Sequence, residues 1–193
     1  VGQAFAYQKI KPHNVVVVFL GDGAAEEGSF MESVNLAVNK SCNIIFVIED
    51  NKYSVQSNKL DRKSIHYSHK SLFEGLGAVY FRKDGQSVES VFNATNNALK
   101  FARNGRPVVL HLDVLRRHTH SGPILEMEDM KYRDKNDTVH NRELNDCIFL
   151  ASNDAVLNGN NRSTVNSWIE SEKTKTLQEI SEVKKNIKVR SFD

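Results

Sequence analysis

Two apolar runs, Val15 to Leu20 and Cys42 to Ile48, constrain this chain more than anything else in it. The first closes on Gly21-Asp22-Gly23 and the second on Glu49-Asp50-Asn51, with Asn51 29 positions after Asp22. Between them Phe30, Val34, Ala37 and Val38 recur at helical spacing. The segment therefore reads as strand, helix, strand, for which a right-handed crossover is expected. The valines of the first run suit a strand buried on both faces, as in a parallel sheet covered by helices.

The remainder follows the same alternation with less clarity. Ala4 to Ile10 reads as the last turns of a helix, and Lys11-Pro12-His13-Asn14 as the loop into the first strand. Residues 54–71 are polar and lack a period, so an extended loop is expected. A short helix over 71–76 and a short strand over 78–81 come next. Asp84-Gly85 then turns the chain into a helix over 87–102, with Val88, Val91, Phe92, Ala98, Leu99 and Ala102 as its apolar face. Pro107 leads into a strand over 108–114. Residues 116–139 are charged and aperiodic, which points to a functional or mobile stretch. Helices are expected over 144–150 and 165–187. Trp168, Ile169, Leu177, Ile180 and Val183 form a stripe on the second, and Ser163 or Thr164 is its expected cap. The fold class is α/β: a mainly parallel sheet covered by helices over residues 1–139, with a helical extension over 140–193.

Composition narrows the classes of function. The 193 residues suffice for one domain, or for part of a larger one. A formal charge of +2 gives no electrostatic reason to expect nucleic acid or a membrane surface. Lys184, Lys185, Lys188 and Arg190 follow Glu179 and Glu182, which reads as a solvated helix end. Cys42 and Cys147 show no metal-ligand spacing, and buried reduced thiols are the expectation. No run approaches the ~20 apolar residues of a bilayer span, and Lys9, Lys11 and His13 interrupt any signal-peptide pattern. A soluble, cytoplasmic protein is expected.

The chemistry lies at the strand ends. Gly-Asp-Gly alone is most often a turn. Between a buried strand and a helix, however, it puts Asp22 at the carboxyl edge of a parallel sheet, where open α/β folds bind ligands. Small residues at Gly23, Ala24 and Ala25 let backbone N–H groups approach an anion. Asp22 offers a carboxylate and Asn51 an amide oxygen, ligands that suit Mg²⁺ shared with substrate phosphates. The rival reading of Asn51 is a strand-end turn residue. A second constellation, Arg116-Arg117-His118-Thr119-His120-Ser121, directly follows a buried strand. Its guanidinium groups suit phosphate, and His120 can hold or pass a proton near neutral pH. His66 and His69 are expected to be solvated loop residues, and His111 to be packed. Glu26 and Glu27 are expected simply to favour a helix start.

The run Gly21-Asp22-Gly23-Ala24-Ala25-Glu26-Glu27-Gly28, the segment Glu49-Asp50-Asn51-Lys52-Tyr53-Ser54 and the later Asp84-Gly85 together resemble the alpha chains of thiamine-diphosphate-dependent 2-oxo acid dehydrogenases. Pyruvate, branched-chain 2-oxo acid and acetoin dehydrogenases belong to that group, and the likeness runs from about Val1 to the end. The resemblance implies two cofactors, thiamine diphosphate and Mg²⁺. It implies metal ligation by Asp22, Asn51 and the Tyr53 carbonyl, and contact of Gly21, Gly23 and Ala24 with the diphosphate. Arg116 and His120 match the family's Arg-x-x-x-His pattern, with His118 beside them. These residues would meet the diphosphate and line the channel to the reactive carbon, where His120 would act catalytically.

Partners are implied as well: a beta subunit that carries the glutamate activating the cofactor, a lipoyl acyltransferase and a small 2-oxo acid. This chain alone is then expected to be inactive. Thr119 stands where many dehydrogenases have Gly, and Ser121-Gly122-Pro123 replaces their usual continuation. That ending is similar to thiamine-dependent relatives associated with sugar or surface-polysaccharide metabolism, so the 2-oxo acid stays open. Family chains begin well before Val1, so a fragment or a short member is expected. A non-catalytic, partner-binding form of the scaffold is the alternative from another class, and a transketolase-like or decarboxylase fragment is a third.

Overall fold

The computed structural model describes residues 1–64, 66–116, 120, 132–133 and 146–186, with residues 184–186 described by their backbone alone. They form two compact units, Val1–Cys147 and Ile148–Asp193. The first unit runs α1 (Gly2–Ile10), β1 (Val16–Gly21), a 3₁₀ turn (Ala24–Glu26), α2 (Gly28–Asn39) and β2 (Ile44–Asp50). A small hairpin, β3 (Tyr53–Ser54) and β4 (Ser57–Asn58), follows, then a single turn α3 (Lys59–Arg62) and α4 (His69–Gly75). The unit closes with β5 (Val79–Asp84), α5 (Val88–Ala102) and β6 (Val108–Asp113).

The sheet is all parallel, in the order β1-β2-β6-β5. Its α/β character is as the sequence predicts. One face buries Ile44, Phe46 and Ile48 against Phe30, Val34 and Ala37 of α2 and Phe73 of α4. The rings of Phe46 and Phe73 each meet Phe30 edge-on, with centroids 5.4 Å away. The other face buries Ile45, Val47, Val108 and Leu110 under Ala94, Ala98 and Ala102 of α5. Three alanines at four-residue spacing let that helix lie close on the sheet.

Several expectations change. β1 is an edge strand and alternates: Val17 and Phe19 are exposed while Val16, Val18 and Leu20 pack inward. Two-sided burial belongs to β2, which has strands on both sides. Residues 54–71 are no continuous loop. Asn58 caps α3 by accepting from the Leu60 N–H, and Ser68 caps α4 by accepting from the Ser71 N–H. In α5 the alanine stripe wins the core, leaving Val88 and Phe92 exposed. Glu26 ends the 3₁₀ turn and Glu27 precedes α2, so neither stands in that helix's first turn.

The second unit contains α6 (Cys147–Leu157), whose first residue closes the first unit, and α7 (Arg162–Asn186). Asn161, rather than Ser163 or Thr164, caps α7, its Oδ1 accepting from the Ser163 N–H at 2.8 Å. Trp168, Leu177, Ile180 and Val183 are exposed along it. Both thiols are free, as expected, but only Cys42 is buried. Among the described residues, no helix is long and apolar enough to cross a membrane.

Candidate active site

Parallel pairing sets the site. Gly21 is level with Glu49 on β2, and Asp50 with Asp113 on β6, which in turn is level with Asp84 on β5. Asp22, Asp50, Asp113 and Asp84 thus line the carboxyl edge of the sheet. Neighbouring parallel strands lie roughly 4.8 Å apart, so four carboxylates this close must each find a donor or a cation. Asp113 takes both arms of Arg82, at 2.9 and 2.7 Å, in an exposed pair. Asp84 accepts the Gln86 N–H in a turn.

Asp50 is buried and heavily bonded. Its Oδ1 accepts the Lys52 N–H at 3.0 Å, while Oδ2 meets Lys59 Nζ and lies 2.8 Å from His111 Nε2. Tyr80 Oη lies 2.8 Å from His111 Nδ1. Acceptance at Asp50 requires a proton on His111 Nε2; Nδ1 then accepts from the Tyr80 hydroxyl in the neutral ring and donates to it in the protonated one. Burial alone would raise the Asp50 carboxyl, but the hydrogen bonds and charges of His111 and Lys59 outweigh it and hold the group well below its ordinary value. Burial pushes the Tyr80 hydroxyl up to about 12.

His69 is no solvated loop residue: it is buried, stacked on Phe73 and edge-on to His111. Burial, then the nearby Lys63, His111 and Lys59, press it down to about 3, so it stays neutral. Asp50, His111 and Asp113 stand close enough to share an ion. Lys59 and Arg82 already neutralise their carboxylates, so a cation there would have to displace both.

Asp22, 1% exposed, has a different neighbourhood. Arg62 Nη2 lies 2.5 Å from its Oδ2, and the same guanidinium donates to Glu26 at 3.0 and 3.1 Å. Lys63 Nζ is 3.6 Å from Glu26. Burial would raise the Glu26 carboxyl, yet Arg62 and Lys63 bring it below its ordinary value.

The turn that carries Asp22 rests directly on the hairpin. A Cβ added at Gly23 would strike the Ser54 side chain, so only glycine permits the approach. The first bonds of the 3₁₀ turn are donated by Glu26 and Glu27, and its opening N–H groups, at Gly23, Ala24 and Ala25, are left over as at any helix start. Asn51 follows β2, half-buried, and its Oδ1 accepts the Tyr53 N–H at 3.0 Å. The turn-residue reading of Asn51 is therefore correct as far as it goes, and the oxygen keeps a second lone pair.

Arg116 arrives from the end of β6. Its Nη2 donates to the Val55 carbonyl and to Tyr132 Oη, both at 2.7 Å, and its guanidinium lies 5.5 Å from the Tyr53 ring centroid. Its Nε and Nη1 are buried and have no hydrogen-bond partner among the described residues. Unpaired buried guanidinium nitrogens are costly and call for an anion.

The structure thus gathers Gly21, Asp22, Gly23, Ala24, Asn51, Tyr53 and Arg116 at one edge. His120 is exposed and makes none of the contacts that knit this cluster; His118 lies outside the described residues. Sequence reasoning missed Arg62, Glu26 as its ion partner, and the Tyr80–His111–Asp50–Lys59 network. Only the last left a signal, in the level register of two runs ending in Asp.

Comparison with known proteins gives the family. A sequence model of the family described as "Dehydrogenase E1 component" matches residues 1–189. The chain belongs to that family. Among curated relatives, the pyruvate dehydrogenase E1 component subunit alpha of Rickettsia typhi is 31% identical over 144 residues, covering 74% of this chain and 42% of that protein. The Rhizobium meliloti protein of the same name is 30% identical over 149 residues, 76% of this chain and 41% of the relative. The mitochondrial 2-oxoisovalerate dehydrogenase subunit alpha of Caenorhabditis elegans is 33% identical over 126 residues, 63% of this chain and 28% of the relative. The chain spans less than half the length of these relatives.

The residues present suit the metal diphosphate that an E1 component implies. Oxygen donors at Asp22, Asn51 and the Tyr53 carbonyl match a hard cation. The close-set Gly23 turn and the two unpaired Arg116 nitrogens match an anion. One condition attaches: Arg62 must yield the Asp22 oxygen that it holds.

Proposed function

We propose that this chain is part of the alpha subunit of a thiamine-diphosphate-dependent 2-oxo acid dehydrogenase, and that it anchors the cofactor's diphosphate through Mg²⁺. The observation that carries the proposal is that a buried carboxylate just past β1, an amide just past β2 and unpaired Arg116 nitrogens beyond β6 share one sheet edge. Asp22, Asn51 and the Tyr53 carbonyl would hold the metal. The N–H groups of Gly23 and Ala24, with Arg116, would hold the diphosphate, and Gly21 keeps the turn open to it.

When bound, thiamine diphosphate supplies the electron sink for decarboxylating a 2-oxo acid. The chain's own part is to fix the charged end of the cofactor and exclude water from it. His120, with His118 beside it, is proposed to line the substrate channel, where His120 holds or passes a proton. Residues 1–139 would carry the site and 140–193 extend it as helices. The activating glutamate would come from a beta subunit, with acyl transfer to a lipoyl acyltransferase, in the cytoplasm. Relatives named for pyruvate and for 2-oxoisovalerate both support a 2-oxo acid substrate without choosing between them.

The test is thermal unfolding of the chain, alone and co-expressed with a beta-type subunit. Thiamine diphosphate with Mg²⁺ should raise the midpoint, EDTA should remove the gain, and Asp22→Ala should never show it. An equal gain in Asp22→Ala would overturn the metal role.

A further inference from the structure

Arg62 stands 40 residues after Asp22, on the last residue of the one-turn helix α3. Besides Asp22 and Glu26 it donates through Nη1 to the Ser57 carbonyl, so three elements fix it. Its side chain is 16% exposed and that of Asp22 only 2%. With Lys63 beside Glu26, two cations face two carboxylates, and the cluster is formally neutral. A bare divalent cation on Asp22 would add two positive charges next to a guanidinium in a poorly solvated place. A cation that arrives with a diphosphate brings compensating negative charge. Glu26, which accepts two of the Arg62 bonds, can keep the guanidinium after Asp22 releases it.

We infer that Arg62 is the resident counterion of Asp22 and makes this site refuse a bare divalent cation while admitting one that is paired with a diphosphate. The inference rests on the metal role proposed above for Asp22. Arg62 then sets what the site accepts, because the guanidinium and the metal compete for the same carboxylate.

Mn²⁺ serves as the probe, with free ion counted by electron paramagnetic resonance on the full chain and folding checked by circular dichroism. Arg62→Gln should bind bare Mn²⁺ at least about tenfold more tightly than the wild type. Arg62→Lys, which keeps the charge but loses the fork, should fall between and decides the matter if Arg62→Gln does not fold. The gain should vanish in Arg62→Gln/Asp22→Asn. Adding thiamine diphosphate should tighten Mn²⁺ more in the wild type than in Arg62→Gln. Equal or weaker bare-Mn²⁺ binding in Arg62→Gln, with the wild type still taking Mn²⁺ and thiamine diphosphate together, overturns the inference alone. Absence of binding in every variant, with and without thiamine diphosphate, overturns both this inference and the cofactor reading.

Discussion

Asp22 and Asp50 stand side by side at the tips of neighbouring parallel strands, equally buried, and they differ in how many groups hold them. Asp50 is held by a lysine, a histidine and a backbone N–H. Among the described residues Asp22 is held by one guanidinium, which has a second carboxylate to rest on. Asp50 takes three bonds from groups fixed in the fold, whereas the guanidinium on Asp22 can move to Glu26, which is what the ligand role proposed for Asp22 requires. Burial and residue type do not distinguish the two carboxylates, but the count of described partners does.

The most severe test of that comparison replaces each aspartate with Asn. Asp22→Asn should lose the stabilisation by Mg²⁺ and thiamine diphosphate entirely in a thermal scan, and a folded Asp50→Asn should keep most of it. Next in size is intrinsic stability. Asp50→Ala strands Lys59 and His111 and should cost about 3 kcal/mol in urea unfolding. Asp22→Ala leaves Arg62 on Glu26 and should cost only about 1 kcal/mol.

A pH series sharpens the contrast. The folded Asp50 carboxyl titrates below its ordinary 3.8, so its contribution is present above that pH and is lost as pH falls further. His69 falls from 6.5 to about 3 on folding. Between those values the unfolded chain takes up a proton that the folded one refuses. Stability should therefore rise with pH across that window, by up to about 1.4 kcal/mol per pH unit. His69→Gln should flatten this slope, and an unchanged slope would place the titration elsewhere. The smallest effect is expected at Asp113: its pair with Arg82 is exposed, and Arg82→Gln should change stability by less than about 1 kcal/mol.

The sheet was legible because apolar runs and turn residues are local signals; β1, α2, β2, α5 and β6 all fall within a few residues of where their patterns place them. Face assignment was less legible. Phe92 and Val88 share the periodicity of the α5 core, but close packing on a sheet favours small Ala94, Ala98 and Ala102, and one helix's pattern cannot reveal that. β1 read as doubly buried because composition does not disclose which strand lies at an edge. At the site, Asp22 and Asn51 were visible from their strand-end positions. Arg62 was not, since its role depends on a 40-residue return of the chain that no spacing encodes.

A crystal structure of the chain with thiamine diphosphate and Mg²⁺ tests the central claim most directly. The expected result is an ion about 2.1 Å from oxygens of both Asp22 and Asn51, with the Arg62 guanidinium moved off Asp22. An ion seated instead among Asp50, His111 and Asp113, or a bound cofactor with Arg62 still on Asp22 and no metal beside it, would contradict it.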